Sequence, residues 1–164
     1  MAYRVAIITL SDKGAAGLRE DQSGPVLVAM AEEAGLKVVS LEVLADERAP
    51  LEARLKAIAD QGLADLVLTT GGTGLAVRDQ TPEATLAVAE RLVPGLAEVM
   101  RAESLKKTNR AMLSRGVAVV RGRTLIVNFP GSPKGARENF AAILPALGHG
   151  LDILTGSAGE CATP

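Results

Sequence analysis

The chain has 164 residues, of which 48% are hydrophobic and 23% are charged, and its net charge at pH 7 is −1. These values are typical of one globular domain with a substantial core, and the charge gives no reason to expect nucleic acid or an anionic membrane as a partner. No apolar run approaches the roughly 20 residues that span a bilayer. Because the N-terminus starts directly with a strand pattern and lacks a signal-peptide layout, we expect a cytoplasmic protein.

The first half of the chain alternates short apolar runs with helical patterns. Apolar runs rich in β-branched residues predict strands, and glycines mark the ends of helices. The predicted strands are 5–10, 36–44 and 66–70, and the predicted helices are 26–34, 51–61 and 82–92.

The second half predicts a helix at 96–106, strands at 117–120 and 125–129, and helices at 137–144 and 146–154. The two strands are so close in sequence that they are predicted to pair antiparallel. Together the elements predict an α/β fold, a three-layer α/β/α sandwich with a mostly parallel central sheet and one antiparallel strand. We expect residues 1–164 to form a single domain, with 156–164 as a mobile tail.

Polar clusters follow four of the predicted strands. Ser11-Asp12-Lys13 follows the first, Asp46-Glu47 the second, a glycine-rich loop the third, and residues 130–134 the last. Because parallel strands end at one edge of a sheet, these four stretches are predicted to line a single crevice. Open α/β sheets bind ligands at this edge.

The glycine loop Gly71-Gly72-Thr73-Gly74 is the most informative of these stretches. Its glycines allow the backbone N–H groups to approach an anion, and Thr81-Pro82 is typical of a helix start with an N-cap followed by proline. The loop lacks the Gly-Lys-Ser/Thr of a Walker loop, and Val77 occupies the last glycine position of a dinucleotide fingerprint. A tight turn without a ligand is the alternative.

Charged groups near this loop indicate a phosphate-bearing ligand and a metal ion. Because His149 is the only histidine and Cys161 the only cysteine, the metal ligands must be oxygens, which favours magnesium over zinc. Asp46 and Asp79 could hold one magnesium ion together with phosphate oxygens. As alternatives, each could stabilise a helix N-terminus. Arg78 could contact a phosphate or pair with a nearby acid.

The segment Pro130-Gly131-Ser132-Pro133-Lys134 is the last candidate stretch. It could present the N–H groups of Gly131 and Ser132 and the Ser132 hydroxyl to a ligand, with the charge of Lys134 near a helix start. A rigid turn without a ligand is again the alternative.

These motifs resemble those of the molybdenum-cofactor biosynthesis family, which includes bacterial MogA and MoaB and the G domain of gephyrin. The resemblance rests on the run 69–74, on Arg78-Asp79-Gln80-Thr81-Pro82-Glu83, and on the polar elements after the other strands. It covers about residues 3–155. The glycine loop followed by Arg-Asp-x-Thr-Pro is its most specific part.

The resemblance implies a homotrimer and, for MogA-type members, molybdopterin adenylyltransferase activity with ATP and molybdopterin as substrates. The terminal phosphate of molybdopterin attacks the α-phosphorus of ATP, with Mg²⁺ and two aspartates that map to Asp46 and Asp79. The implied substrate-binding residues are Ser11, Asp12, Gly71, Gly72, Thr73, Gly74, Arg78, Thr81, Gly131, Ser132 and Lys134.

Three positions depart from the family pattern: Lys13 replaces arginine, Gln80 replaces valine, and Phe129 replaces leucine. They leave open whether the chain is a MogA-type enzyme or a MoaB-type protein that binds the pterin without catalysis. A nucleotide-sensing α/β domain is a third alternative. Molybdate insertion is assigned to another protein, to which the product would be handed.

Overall fold

A six-stranded sheet organises the computed structural model, which describes residues 2–157. The strands are β1 (Arg4–Leu10), β2 (Lys37–Leu44), β3 (Leu66–Thr70), β4 (Arg91–Leu92), β5 (Ala118–Arg121) and β6 (Thr124–Phe129). Their spatial order is β2-β1-β3-β6-β5-β4, in which β2, β1, β3 and β6 are parallel and β5 runs antiparallel to both of its neighbours. The predicted sheet is therefore confirmed.

Helices cover both faces of this sheet. They are α1 (Asp12–Ala15), α2 (Ser23–Glu33), α3 (Arg48–Asp60), α4 (Thr81–Val88), α5 (Pro94–Leu105), a 3-10 helix (Asn109–Leu113) and α6 (Pro133–Thr155). Side chains alternate along β1, so that Val5 and Ile7 pack with α2, α5 and α6 on one face. Ile8 packs with α3 and α4 on the other face. The three predicted layers follow from this alternation.

The predicted helix 82–92 was too long. Helix α4 begins at Thr81, which makes Gln80 rather than Thr81 the N-cap residue, and it ends at Val88. The chain then forms β4, where the Glu90 N–H donates to the Val120 carbonyl at 2.9 Å. At the end of the predicted helix, backbone hydrogen bonds to the edge strand β5 therefore take the place of helical hydrogen bonds.

The two helices predicted at 137–144 and 146–154 form the single helix α6, with Pro145 inside it. Proline removes one helical hydrogen bond, which normally interrupts a helix. Here Phe140 and Ile143 before it and Leu147 and Leu151 after it are all buried in the same core cluster. Continuous burial along this stripe outweighs the missing hydrogen bond.

Gly156 closes α6 in the left-handed conformation with φ of 74°, and the Ser157 N–H donates to the Asp152 carbonyl. The first two residues of the predicted tail 156–164 therefore belong to a helix end, whereas 158–164 and Cys161 with them lie outside the described residues. None of the helices in residues 2–157 combines the length and apolarity needed to cross a membrane.

Candidate functional site

Two cavities of similar size open at the carboxyl ends of the parallel strands. The first, of about 530 Å³, is called the acidic cleft, and its lining includes Ser11, Asp46, Gly71, Gly72, Asp79 and Gly131. The second, of about 650 Å³, is called the amide cavity, and its lining includes Thr73, Gly74, Ser104, Asn128, Ser132 and Asn139.

The two cavities share a wall made of two loops. In the glycine loop, Gly71 and Gly72 line the acidic cleft, whereas Thr73 and Gly74 line the amide cavity. The loop after β6 divides in the same way, since Gly131 and Pro133 line the cleft and Pro130 and Ser132 line the cavity. A molecule in one cavity is therefore separated from a molecule in the other by these two loops.

Close packing explains why glycine is required in this wall. Gly71 has φ of 100°, and a Cβ there would lie 2.4 Å from the Leu10 carbonyl oxygen. A Cβ at Gly131 would lie 3.2 Å from the Gly71 Cα. The Thr70 hydroxyl also donates to the Pro130 carbonyl at 2.8 Å, which ties the two loops together.

The backbone of the glycine loop is only partly open to an anion. The Gly71 N–H donates to the Phe129 carbonyl at 3.1 Å and so is already used. Within residues 2–157, the N–H groups of Gly72, Thr73 and Gly74 have no such acceptor. These three groups are therefore the ones that can bind a ligand.

Asp46 and Asp79 both line the acidic cleft and lie against the glycine loop. A Cβ at Gly72 would lie 3.3 Å from Asp46 Oδ1, and a Cβ at Gly74 would lie 2.9 Å from Asp79 Oδ2. The two carboxyl groups are far apart in the sequence, and both lie against one loop in the structure. The predicted convergence of strand-end segments is observed for this pair.

Neither aspartate is the N-cap residue of the helix that follows it, although Asp46 contacts the first N–H of α1. Asp46 Oδ2 accepts the Asp12 N–H at 3.1 Å, while Asp79 Oδ2 accepts the Ala76 N–H at 3.0 Å. The N-cap residues of α3 and α4 are Glu47 and Gln80. Within residues 2–157, the second oxygen of each carboxyl group receives no hydrogen bond, which leaves it open to a cation.

Electrostatics also favour a cation at Asp46. Burial raises the pKa of this carboxyl group, and the neighbouring charges of Asp12 and Asp79 raise it further. The Asp12 N–H and Arg78 act in the opposite direction but do not cancel the shift. The ionised form is therefore destabilised, and a bound divalent cation would relieve this repulsion.

The donor set fits magnesium only with help from a ligand. Among residues 2–157, no three His, Cys, Asp or Glu side chains converge as a metal site. Magnesium is usually held by one or two carboxylates together with water and substrate phosphates. Asp46 and Asp79 match that requirement, whereas a metal held by protein groups alone is not supported.

Arg78 pairs with an acid, which is one of the two alternatives left open by the sequence. Its Nε and Nη2 donate to the two carboxylate oxygens of Asp12 at 2.5 and 2.7 Å, and this pairing holds the pKa of Asp12 below its usual value. Asp12 Oδ1 also accepts the Asp46 N–H at 3.0 Å. In this arrangement Arg78 and Asp12 brace Asp46, and neither lines the two cavities.

The other predicted site residues divide into two groups. Ser11 lines the acidic cleft and Ser132 lines the amide cavity. Each serine is the N-cap residue of the helix that follows it, and its hydroxyl oxygen accepts a backbone N–H from the first turn of that helix. Thr81 is buried beneath Gly72 and lines neither cavity. Lys134 is exposed and also lies outside both linings.

The sequence analysis missed the polar side chains of the amide cavity. Asn128 is buried and its amide donates to Thr69 and Thr85 at 2.9 Å each. The buried Asn139 accepts from the Ser104 hydroxyl at 3.3 Å. An asparagine after the apolar run 125–127 of β6 was a signal that could have identified the first of these residues.

Arg115 was missed as well. Its Nε donates to the Gly74 carbonyl and its Nη2 to the Asp79 carbonyl, both at 2.7 Å, and Nη1 pairs with Glu83. Its backbone N–H donates to the Thr73 carbonyl at 2.9 Å. It lies between the predicted helix 96–106 and the predicted strand 117–120, where no motif indicated a function.

Comparison with known proteins gives a consistent group of relatives. The family described as "probable molybdopterin binding domain" matches residues 6–149. Molybdopterin adenylyltransferases of Helicobacter pylori and Escherichia coli are each 41% identical, over 93% and 89% of this chain and 88% and 76% of the relatives. The crystal structure of the molybdopterin biosynthesis enzyme MoaB of Thermus thermophilus is 51% identical with a TM-score of 0.89, covering 94% of this chain and 97% of that chain.

Proposed function

This chain belongs to the family of probable molybdopterin binding domains, and we propose that it transfers AMP from ATP to the terminal phosphate of molybdopterin. The products are adenylyl-molybdopterin and pyrophosphate. The chain is then an enzyme of molybdenum cofactor biosynthesis, a molybdopterin adenylyltransferase like its relatives from Helicobacter pylori and Escherichia coli.

The shared wall between the two cavities is the observation that carries this proposal. Asp46 and Asp79 line one side of it, and asparagine amides line the other together with two arginines and one glutamate. Such a division suits one substrate that arrives with a cation and a second that is bound through amides and arginines. The triphosphate of ATP occupies the acidic cleft, and the pterin occupies the amide cavity. Their reacting phosphates meet at the glycine loop.

No protein nucleophile is needed for this reaction, because the attacking group belongs to molybdopterin. The protein contributes by positioning the two phosphates and by neutralising charge. The N–H groups of Gly72, Thr73 and Gly74 are placed to bind phosphate oxygens. Asp46 and Asp79 would hold Mg²⁺, which supplies Lewis-acid neutralisation of the triphosphate.

A direct assay tests this function. Purified protein, ATP, Mg²⁺ and intact molybdopterin are mixed, and pyrophosphate release is measured together with the adenylylated product. We expect release that requires both substrates and the metal. Absence of turnover across the full range of Mg²⁺ concentrations, with substrate shown to be intact, removes this function.

A second candidate is a pterin carrier without catalysis, of the MoaB type. It is the alternative that the sequence left open, but the MoaB relative that is 51% identical is itself described as a biosynthesis enzyme. Titration calorimetry with molybdopterin separates the two candidates. Pterin binding that is tight and independent of ATP and Mg²⁺, in a protein without turnover, favours the carrier.

Three further properties belong to the proposal. We propose a homotrimer in the cytoplasm that hands its product to a molybdate-insertion protein. Light scattering coupled to gel filtration gives the subunit number, and a mass other than three chains removes the trimer. Cell fractionation tests the location, and product transfer to a purified molybdate-insertion protein tests the hand-off.

A further inference from the structure

Both ends of the loop from Gly74 to Asp79 are bound by one side chain from outside the loop. Arg115 donates hydrogen bonds to the carbonyl oxygens of both residues at 2.7 Å, from Nε and Nη2 respectively. The two ends of the loop therefore share one rigid planar donor group. Lysine cannot reproduce this arrangement, because its ammonium group is a point charge on a flexible stem.

Glu83 fixes the guanidinium from the opposite side. It lies in the first turn of α4 and pairs with Arg115 Nη1, and each of these two side chains is about one-third exposed. Burial raises the pKa of Glu83, but the hydrogen bond and charge of Arg115 outweigh it, so the net pKa is lowered. Within residues 2–157, Oε2 of Glu83 is buried without a donor, so this carboxylate depends on Arg115 as its partner.

The position of Arg115 relates it to both cavities. Its sequence neighbours Ser114 and Gly116 line the amide cavity, as does Gly74, to which it donates. Its other backbone partner, Asp79, lines the acidic cleft. One guanidinium thus fixes backbone on each side of the shared wall.

We propose that Arg115 is a positioning residue for the metal-dependent step, which sets the place of the Asp79 carboxylate through the backbone of the loop. This inference rests on the proposed adenylyl transfer. Arg115 acts through Asp79 and Gly74 and does not itself touch the reacting atoms. Partners that orient metal ligands typically change metal affinity or activity by about 10–100-fold when they are replaced.

The test is the Mg²⁺ dependence of Arg115→Lys, measured for the reaction rate and, without molybdopterin, for ATP binding by titration calorimetry. We expect kcat to fall about 10–100-fold and the Mg²⁺ concentration at half-maximal rate to rise about 10-fold, with partial rescue by excess Mg²⁺. The KM for molybdopterin is expected to stay within about twofold, since the side chain does not line the amide cavity. Glu83→Gln, which keeps the shape and removes the charge, is expected to shift the same two values by a smaller factor.

Arg54→Lys is the matched control. Arg54 pairs with Glu42 through two nitrogens, and their side chains are 32% and 29% exposed, against 32% and 34% for Arg115 and Glu83. This pair lines neither of the two cavities. Arg54→Lys is expected to lose about as much thermal stability as Arg115→Lys. Its Mg²⁺ dependence is expected to stay at the wild-type value.

Two results overturn the proposal. One is a folded Arg115→Lys protein with the Mg²⁺ dependence of the wild type, and the other is an equal shift in Arg54→Lys. If Arg115→Lys does not fold, Glu83→Gln decides by the same criterion. Failure here differs from failure of the proposed function, because in the latter the wild-type protein itself shows no turnover.

Discussion

The acidic cleft and the amide cavity are neighbours of similar volume that differ in charge. Four carboxylates and one arginine line the cleft, among them Asp46 and Asp79 on the strand-end loops, whereas two arginines and one glutamate line the cavity. The cavity is enclosed largely by α5, the 3-10 helix and α6, which contribute Ser104, Ala111 and Asn139. The comparison teaches that one fold can place an excess of carboxylates on one side of a shared wall and an excess of arginines, with amides, on the other.

The largest expected effect comes from removing charge on the cleft side. Asp79→Asn keeps an oxygen that can accept the Ala76 N–H, so folding changes little, but it loses the negative charge that would hold Mg²⁺. We expect the rate of adenylyl transfer to fall on the order of 10²–10³-fold. Steady-state kinetics and thermal unfolding measure the two effects separately.

Asp60→Asn is the control for this prediction, because Asp60 pairs with Arg121 and lines neither the cleft nor the amide cavity. It is expected to retain the wild-type rate. If Asp79→Asn instead lowers the free energy of unfolding by as much as it raises the activation free energy of transfer, Asp79 only stabilises the turn.

Damage to the wall itself is expected to affect both sides at once. Gly71→Ala places a Cβ 2.4 Å from the Leu10 carbonyl oxygen at a positive φ, so the loop must shift. Residues forced into such backbone conformations destabilise proteins by about 1–3 kcal/mol each. We expect denaturant unfolding to show a loss in this range, and calorimetry to show weaker binding of both ATP and molybdopterin. Weakening of only one ligand would contradict a shared wall.

A change on the amide side is expected to be smaller and of a different kind. Asn139→Ala removes an amide that lines the cavity and accepts from Ser104. Loss of one hydrogen bond of about 1–1.5 kcal/mol corresponds to roughly a 10-fold rise in the KM for molybdopterin. The Mg²⁺ dependence is expected to stay at its wild-type value. A shift in Mg²⁺ dependence instead would mean that the two cavities do not divide the substrates.

The same division explains what could be predicted from the sequence. Strand-end loops carry local signals, so the glycine loop, Asp46 and Asp79 could be identified and placed at one edge of a parallel sheet. The amide cavity depends on how helices pack, and neither its asparagines nor the continuation of α6 through Pro145 is visible in local patterns. The register of β6 beside β3 decides that Asn128 faces Thr69.

Arg115 shows the limit most clearly. Besides Glu83, its guanidinium contacts two backbone carbonyls that precede it by 36 and 41 positions. Backbone carbonyls carry no sequence signal, since every residue has one. An arginine that binds them is indistinguishable in the sequence from a surface arginine. Only the folded arrangement shows that Arg115 connects the two sides of the wall.

The smallest expected effect is a gain of stability on the cleft side. Asp46 has a raised pKa in the folded protein, because burial and the charges of Asp12 and Asp79 disfavour its ionised form. A raised pKa means that stability is fully present below the pKa of the unfolded chain and is lost as the pH rises through the folded value. Asp46→Asn removes this loss and keeps an oxygen acceptor for the Asp12 N–H.

We therefore expect metal-free Asp46→Asn to be more stable than the wild type at pH 7. The difference in unfolding free energy between the variant and the wild type should shrink as the pH falls below the ordinary aspartate pKa of about 3.9. At such a pH the aspartate and the asparagine at position 46 are both neutral. Added Mg²⁺ and ATP should narrow it at pH 7 by stabilising only the wild type, because a ligand stabilises the folded state that binds it. Denaturant unfolding at pH 7 and below about pH 3.9 measures this difference in stability. If Asp46→Asn is less stable than the wild type at pH 7, the repulsion at Asp46 is already relieved without a cation. That result would remove the electrostatic reason for expecting a cation at Asp46.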